Sequence, residues 1–221
     1  MIEYKAVNVF QEEQEVLHNV HLTIRKGEFV YIIGKVGSGK SSLLKTMYGE
    51  LPVTEGEARV LDVELKKLRP KHLPQLRRKL GIIFQDFQLL IDRTVEENLR
   101  FVLKATGWKK ETDIRNRIDE VLNLVEMGTK GYKYPYELSG GEKQRISIAR
   151  CMLNHPRIIL ADEPTVNLDS ETSRKLAELL HKICQRGATV VMVTHNLHLL
   201  DMFPARVFEC KDKQLFEHPI S

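Results

Sequence analysis

The sequence predicts an α/β fold built around a mainly parallel sheet covered on both faces. Three observations carry that prediction. Apolar, β-rich runs at 29–33, 82–84, 158–161 and 189–193 alternate with segments of helical periodicity. These runs are apolar at nearly every position rather than every second one, as in strands with no solvent face. The first leads through a glycine-rich stretch, Gly34-Lys35-Val36-Gly37-Ser38-Gly39-Lys40-Ser41, into a helix opening at Ser42, the strand–loop–helix order of a crossover unit.

Taken in order, residues 1–9 alternate enough to form a strand, the polar 11–15 a turn, and 16–24 a second strand pairing antiparallel with the first. Residues 26–28 turn the chain into 29–33. After the helix at 42–48 come a loop at 49–56 and a short strand at 57–61. The basic stretch 66–79, twice broken by proline, is expected to be a solvated amphipathic face rather than a lipid or nucleic-acid patch. The strand 82–84 delivers Gln85 at its end. From 86 to 155 the periodicity turns helical, over 95–105, 113–125 and 142–152, with Gly107, Gly128 and Gly131 as stops. This predicts one domain over 1–221, an α/β core of about 1–85 and 156–221 carrying an inserted helical lobe. The core resumes with the strand 158–161, the helix 170–185 stopped by Gly187, and the strand 189–193.

Composition narrows the class. A hydrophobic content of 42% with 29% charged residues is that of an ordinary water-facing globule. The net charge of +4 is too small to argue for nucleic acid, which is not expected as a partner. No apolar run approaches the roughly 20 residues of a membrane span, and the N-terminus lacks the layout of a signal peptide. Cys151, Cys184 and Cys210 are odd in number and form no C-x-x-C pair, so they are expected as reduced packing residues of a cytoplasmic protein.

The glycine stretch matches G-x-x-x-x-G-K-[ST], and each residue type has a task. Gly34, Gly37, Ser38 and Gly39 let backbone N–H groups curl round an anion, Lys40 reaches β- and γ-phosphates, and Ser41 ligates Mg²⁺. The new helix, from Ser41 and Ser42, adds its positive end. A triphosphate is the expected ligand. Ligands of such sheets sit beyond the carboxyl ends of the strands, and Gly34, Gln85, Asp162 and His195 each follow the last apolar residue of a run. Asp162 is placed to hold Mg²⁺ and Glu163 to polarise the attacking water. A second anion site is expected at Ser139-Gly140-Gly141. Ser139 and Glu142 form a capping box there, and two glycines in a first turn suit close backbone approach.

The set GKVGSGKS, LSGGEKQ, IILADEP and a histidine after a late strand resembles the nucleotide-binding subunit of ABC ATPases, a P-loop NTPase fold, over essentially the whole chain. The resemblance implies ATP and Mg²⁺ and a head-to-tail homodimer, with each ATP between the phosphate loop of one subunit and Ser139 to Gly141 of the other. It implies that Phe10 stacks on adenine, where the family often has tyrosine, and that Gln85 touches Mg²⁺ and the attacking water. It also implies that Asp169 reaches across the dimer and that His195 contacts the γ-phosphate. The stretch 84–98 resembles the cell-division (FtsE) branch, and 161–169 the wider group shared with lipoprotein-release and MacB-type ATPases, which commonly have glycine where this chain has Val166. That branch implies an integral membrane partner, FtsX-like, attachment to the inner face of the cell membrane through it, and control of cell-wall hydrolases. An ATP-switched scaffold with incidental turnover is the rival from another class. A chromosome-organising ATPase would need a coiled-coil insertion that 86–138 is too short to hold. Phe87, Leu89, Leu90 and Ile91 form an apolar run that either packs the lobe onto the core or receives a short helix of the membrane subunit. Lys35 adds positive charge at the loop mouth without an assigned role.

Overall fold

The computed structural model describes residues 1–218, so the last three positions of the expected core lie outside the described residues. Two sheets form. The strands β1 (Ile2–Gln11), β2 (Gln14–Ile24), β4 (Glu57–Val60) and β5 (Val63–Glu64) make an antiparallel sheet in the order β2-β1-β4-β5. The other sheet runs β10-β9-β3-β8-β7-β6, from β3 (Phe29–Gly34), β6 (Leu80–Ile83), β7 (Ile158–Asp162), β8 (Thr189–Val193), β9 (Arg206–Lys211) and β10 (Gln214–His218). All its neighbours are parallel except the β9–β10 hairpin.

Alternation along the central strands sorts their side chains into two cores. Tyr31, Ile159, Ala161, Val190 and Met192 face α3 (Val95–Ala105), α4 (Glu111–Leu124), α5 (Gly140–Met152) and α6 (Ser170–Gln185). Val30, Ile32, Ile158, Leu160, Val191 and Val193 face α1 (Lys40–Met47) and the antiparallel sheet. That sheet grips α1 directly, with the Tyr4 hydroxyl 2.8 Å from Thr46 Oγ1 inside the core. Helices α3 to α5 share one continuous apolar cluster with the sheet face.

Several boundaries move for physical reasons. Strand β1 runs on to Gln11, so only Glu12 and Glu13 turn, with Glu12 at φ 55. Helix α5 begins at Gly140, two residues before the periodicity starts, because Ser139 is its N-cap. The hairpin β9–β10 carries no long apolar run. Its outer strand is mostly exposed, and β9 earns its place by pairing with β3. The basic stretch folds as two single 3₁₀ turns and α2 (Leu73–Arg77), presenting Lys66, Lys67, Arg69, Lys71, Arg78 and Lys79 to solvent while Leu76 is buried. The short helix α7 (His198–Met202) follows β8. Beyond the strands, Glu163 N–H donates to Val193 O (3.0 Å) and Thr194 N–H to Ile32 O (3.1 Å), so the carboxyl ends of β3, β7 and β8 stay in register where the chain turns away.

On α6, His181 lies between Phe29 (ring centroids 3.7 Å apart) and Phe203 (5.1 Å), with Nε2 3.0 Å from the Tyr31 hydroxyl. Burial pulls its pKa from 6.5 down to about 4. The unfolded chain therefore binds the extra proton first, and stability present at neutral pH is lost as pH falls through that window. Urea unfolding at about pH 7 and about pH 5 should show this loss, and His181→Phe should make the slope shallower.

Candidate active site

The phosphate loop is shaped by close approach. At Gly34, φ is 144, and a Cβ would stand 2.4 Å from Cys210 O on β9 and 2.6 Å from Ser38 Oγ. Gly37 and Gly39 also sit at positive φ, and Gly39 caps α1. Lys40 is 6% exposed, and its ammonium donates to Gly34 O (2.8 Å) and Lys35 O (2.9 Å), with Glu163 Oε1 at 3.9 Å. Ser38 Oγ is buried without a hydrogen-bond partner among the described residues. An unpaired hydroxyl in a ring of glycine backbone fits a polar, oxygen-rich ligand. Lys35 and Val36 project into solvent.

Strand ends β7 and β8 supply the acids and the histidine. Ser41 Oγ donates to Asp162 Oδ1 at 2.8 Å. Burial raises the Asp162 pKa, opposed by the Ser41 hydrogen bond, so this carboxyl gains from a cation beside it. Glu163 is buried at φ 45, a left-handed conformation costing on the order of 1–3 kcal/mol for a residue with a Cβ. Its Oε2 accepts from the His195 backbone N–H (3.2 Å) and lies 2.9 Å from His195 Nδ1. The His195 ring is about half exposed, and its Nε2 makes no hydrogen bond among the described residues. Side-chain contacts thus join Lys40, Glu163 and His195 in one set and Ser41 with Asp162 in another, side by side at the end of β7. No group of three or more His, Cys, Asp or Glu side chains among the described residues is arranged to hold a metal alone.

Gln85 is exposed just beyond β6, at the start of a loop held tightly from behind. Phe87 and Gln88 adopt φ 61 and φ 47, and α5 secures their carbonyls. Ser147 Oγ donates to Phe87 O (3.2 Å), and the Arg150 guanidinium donates to Phe87 O (2.7 Å) and Gln88 O. The buried Asn98 amide accepts from Leu90 N–H (2.7 Å) and donates to the carbonyls of Leu90, Arg93 and Thr94. Phe10 is half-buried near the end of β1, beside Gln11, whose Oε1 accepts from Ser42 Oγ (3.2 Å).

Ser139 caps α5 with Glu142 reciprocating, and both glycines lie in the helix. Their small size serves a contact within the chain. A Cβ on Gly141 would stand 2.6 Å from Thr172 Cγ2, and one on Gly140 would stand 3.3 Å from Leu168 Cδ2. Asp169 is occupied nearby as the N-cap of α6, accepting from Thr172 N–H (2.9 Å) and Thr172 Oγ1 (2.6 Å). Among the described residues no hydrogen bond or ion pair links Ser139, Gly140, Gly141 or Gln85 to the phosphate loop. The residues missed from sequence are the supports: Gln11, Asn98, Ser147, Arg150 and Thr172. Only helical spacing hinted at Ser147 and Arg150.

The sequence profile of the family described as ABC transporter matches residues 17–166. The chain belongs to the ABC transporter family. This ABC cassette is similar to the cell division ATP-binding protein FtsE of Bacillus subtilis (strain 168), 42% identical over 96% of this chain and 93% of that one. It is similar to FtsE of Mycobacterium tuberculosis (strain ATCC 25618 / H37Rv), 46% identical over 87% and 84%. Among solved structures it resembles the ATP-binding cassette MJ0796 in a dimeric post-hydrolysis state bound to ADP and Pi, with TM-score 0.89 and 35% identity over 100% of this chain and 99% of that one. The chain is an ABC-type ATP hydrolase with the cassette fold, its N-terminal antiparallel strands and its helices.

In this cassette Gly141→Ala gains about 1 kcal/mol of helix propensity but overpacks Thr172, at about 1–3 kcal/mol. A net loss of up to about 2 kcal/mol is expected by urea denaturation. In a Thr172→Ser background, which removes Cγ2 and keeps the hydroxyl on Asp169, the same substitution should become neutral or stabilising.

Proposed function

We propose that two copies of this chain clasp ATP head to tail and that its hydrolysis drives an integral membrane partner, in the manner of the FtsE branch. One observation carries the reading. Ser139 heads α5 exposed and, among the described residues, makes no hydrogen bond to the phosphate loop of its own chain, while the similar cassette MJ0796 occurs as a dimer bound to ADP and Pi. A helix start built to receive an anion, and unable to serve its own loop, suits a neighbour's γ-phosphate.

In this reading the loop N–H groups from Gly34 to Ser42 and the Lys40 ammonium bind the phosphates, and Phe10 stacks on adenine. Ser41, Asp162 and Gln85 would hold Mg²⁺, which supplies charge neutralisation of the phosphates when bound. The pairing of Ser41 with a desolvated Asp162 supports that assignment. Glu163 orients and polarises the attacking water. His195 steadies Glu163 through N–H and Nδ1 and presents Nε2 to the γ-phosphate. Asp169 and the 164–168 loop would face the second subunit. Glu163→Gln should keep ATP affinity, lower turnover by more than about a hundredfold and trap an ATP-bound dimer in light scattering. Normal division of cells carrying only that variant would overturn the motor reading in favour of an ATP-switched scaffold.

The membrane partner would dock beside the loop that follows Gln85. Leu89 packs into the core, whereas Leu90, Ile91 and Phe101 are exposed. A cavity of about 320 Å³, lined by Pro74, Arg77, Gly81, Val102, Thr106 and Arg150, opens between α2 and β6 on one side and α3 and α5 on the other. We read this joint as the seat of a short helix from an FtsX-like subunit, which would hold the chain at the inner face of the membrane. No helix of the described residues is long and apolar enough to cross a membrane. Ile91→Asp should abolish co-purification with the membrane subunit while ATP affinity stays within about twofold. Equal loss of both would overturn the docking assignment. A co-purified partner of the lipoprotein-release or MacB type would move the chain to that group.

A further inference from the structure

Among the described residues only three buried side-chain polar atoms lack a hydrogen-bond partner. One is Ser38 Oγ in the phosphate loop. The other two are Nε2 and Oε1 of Gln144, a residue 1% exposed on α5. Buried amides are nearly always paired, because an unpaired donor and acceptor forfeit their water without replacement.

The position of this amide on α5 gives it a use. At 3.6 residues per turn, Gly140, Gly141, Gln144 and Ser147 share one face of the helix. The first turn of that face meets Leu168 and Thr172, beyond Glu163. The third turn holds the loop after Gln85, with Ser147 and Arg150 on the carbonyls of Phe87 and Gln88. Gln144 lies in the turn between. Both loops carry non-glycine residues at positive φ, Phe87 and Gln88 in one and Glu163 and Asn167 in the other, backbone of a kind that clusters at switch regions.

We propose that Gln144 is a positioning residue whose side-chain amide bonds to the backbone of the 85–88 and 164–168 loops in the arrangement that cleaves ATP, setting Gln85 and Asp169 relative to one another. This rests on the roles given to Gln85 and Asp169 above. The unpaired amide disfavours the arrangement seen here and is satisfied in the other, so it biases a two-state equilibrium without touching substrate.

Gln144→Met keeps the volume and removes both polar atoms. Measured on the full chain, it should leave stability to urea unchanged or higher and KM for ATP within about twofold, and lower kcat by about tenfold or more. Gln144→Asn, which keeps an amide but withdraws it by one methylene, should also lower kcat. In a Gln85→Ala background the Met substitution should add little further loss. Wild-type kcat in either variant overturns the proposal. So does a fully additive loss with Gln85→Ala. A destabilised Met variant also overturns it, because the amide would then be satisfied already, by ordered water or protein, in a purely structural role. Failure of the underlying assignment would appear separately, as wild-type turnover in Glu163→Gln.

Discussion

The site depends on bringing ionised groups to the end of a sheet that has no water on either face. Lys40 is almost wholly withdrawn from solvent, and Asp162 and Glu163 end a strand whose preceding four residues are all buried. Charges in such a place persist only when other groups compensate them. Lys40 turns back onto the carbonyls of its own loop, Asp162 takes the Ser41 hydroxyl, and Glu163 accepts from the His195 backbone N–H with Nδ1 of the same residue beside it. The last two of these contacts each tie one crossover connection to another. The same desolvation that makes the carboxylates costly favours a cation placed beside them.

Helix α5 is the second organising element. Its N-terminus meets the start of α6, and its third turn carries the loop after β6 on Ser147 and Arg150. Because β6 and β7 are neighbours, a displacement of this helix would act on the loops after both strands together. The unusual backbone of Phe87, Gln88, Glu163 and Asn167 is concentrated in those two loops. Helices and sheet share a continuous core, so such motion would be transmitted as rigid packing rather than through a soft linker.

Much of this was legible beforehand in the chemistry of particular residues. The run 158–161 followed by Asp162-Glu163 announces a buried strand ending in acids, and that strand stands where expected, with Ser41 on Asp162 and His195 on Glu163. Gly140 and Gly141 were legible only in part. Their smallness was expected to serve a ligand, and the first demand on it comes from Leu168 and Thr172 of the same chain. The polar supports Asn98 and Gln11 left no local signature, since each acts on backbone or side-chain groups outside its own element. The hairpin β9–β10 was invisible for a similar reason: its stability comes from pairing with β3 and not from its own pattern.

By itself the sequence determined which segments are buried on both sides, where the chain turns after each, and which chemical groups stand at those turns, because periodicity and residue type act locally. Only the tertiary structure decided the strand order that sets β7 beside β8, the hydrogen bonds that join Glu163 to His195, and the crowding that excludes a side chain at Gly141. Those are distances between residues far apart along the chain, and they exist only once the two apolar cores have closed around the sheet.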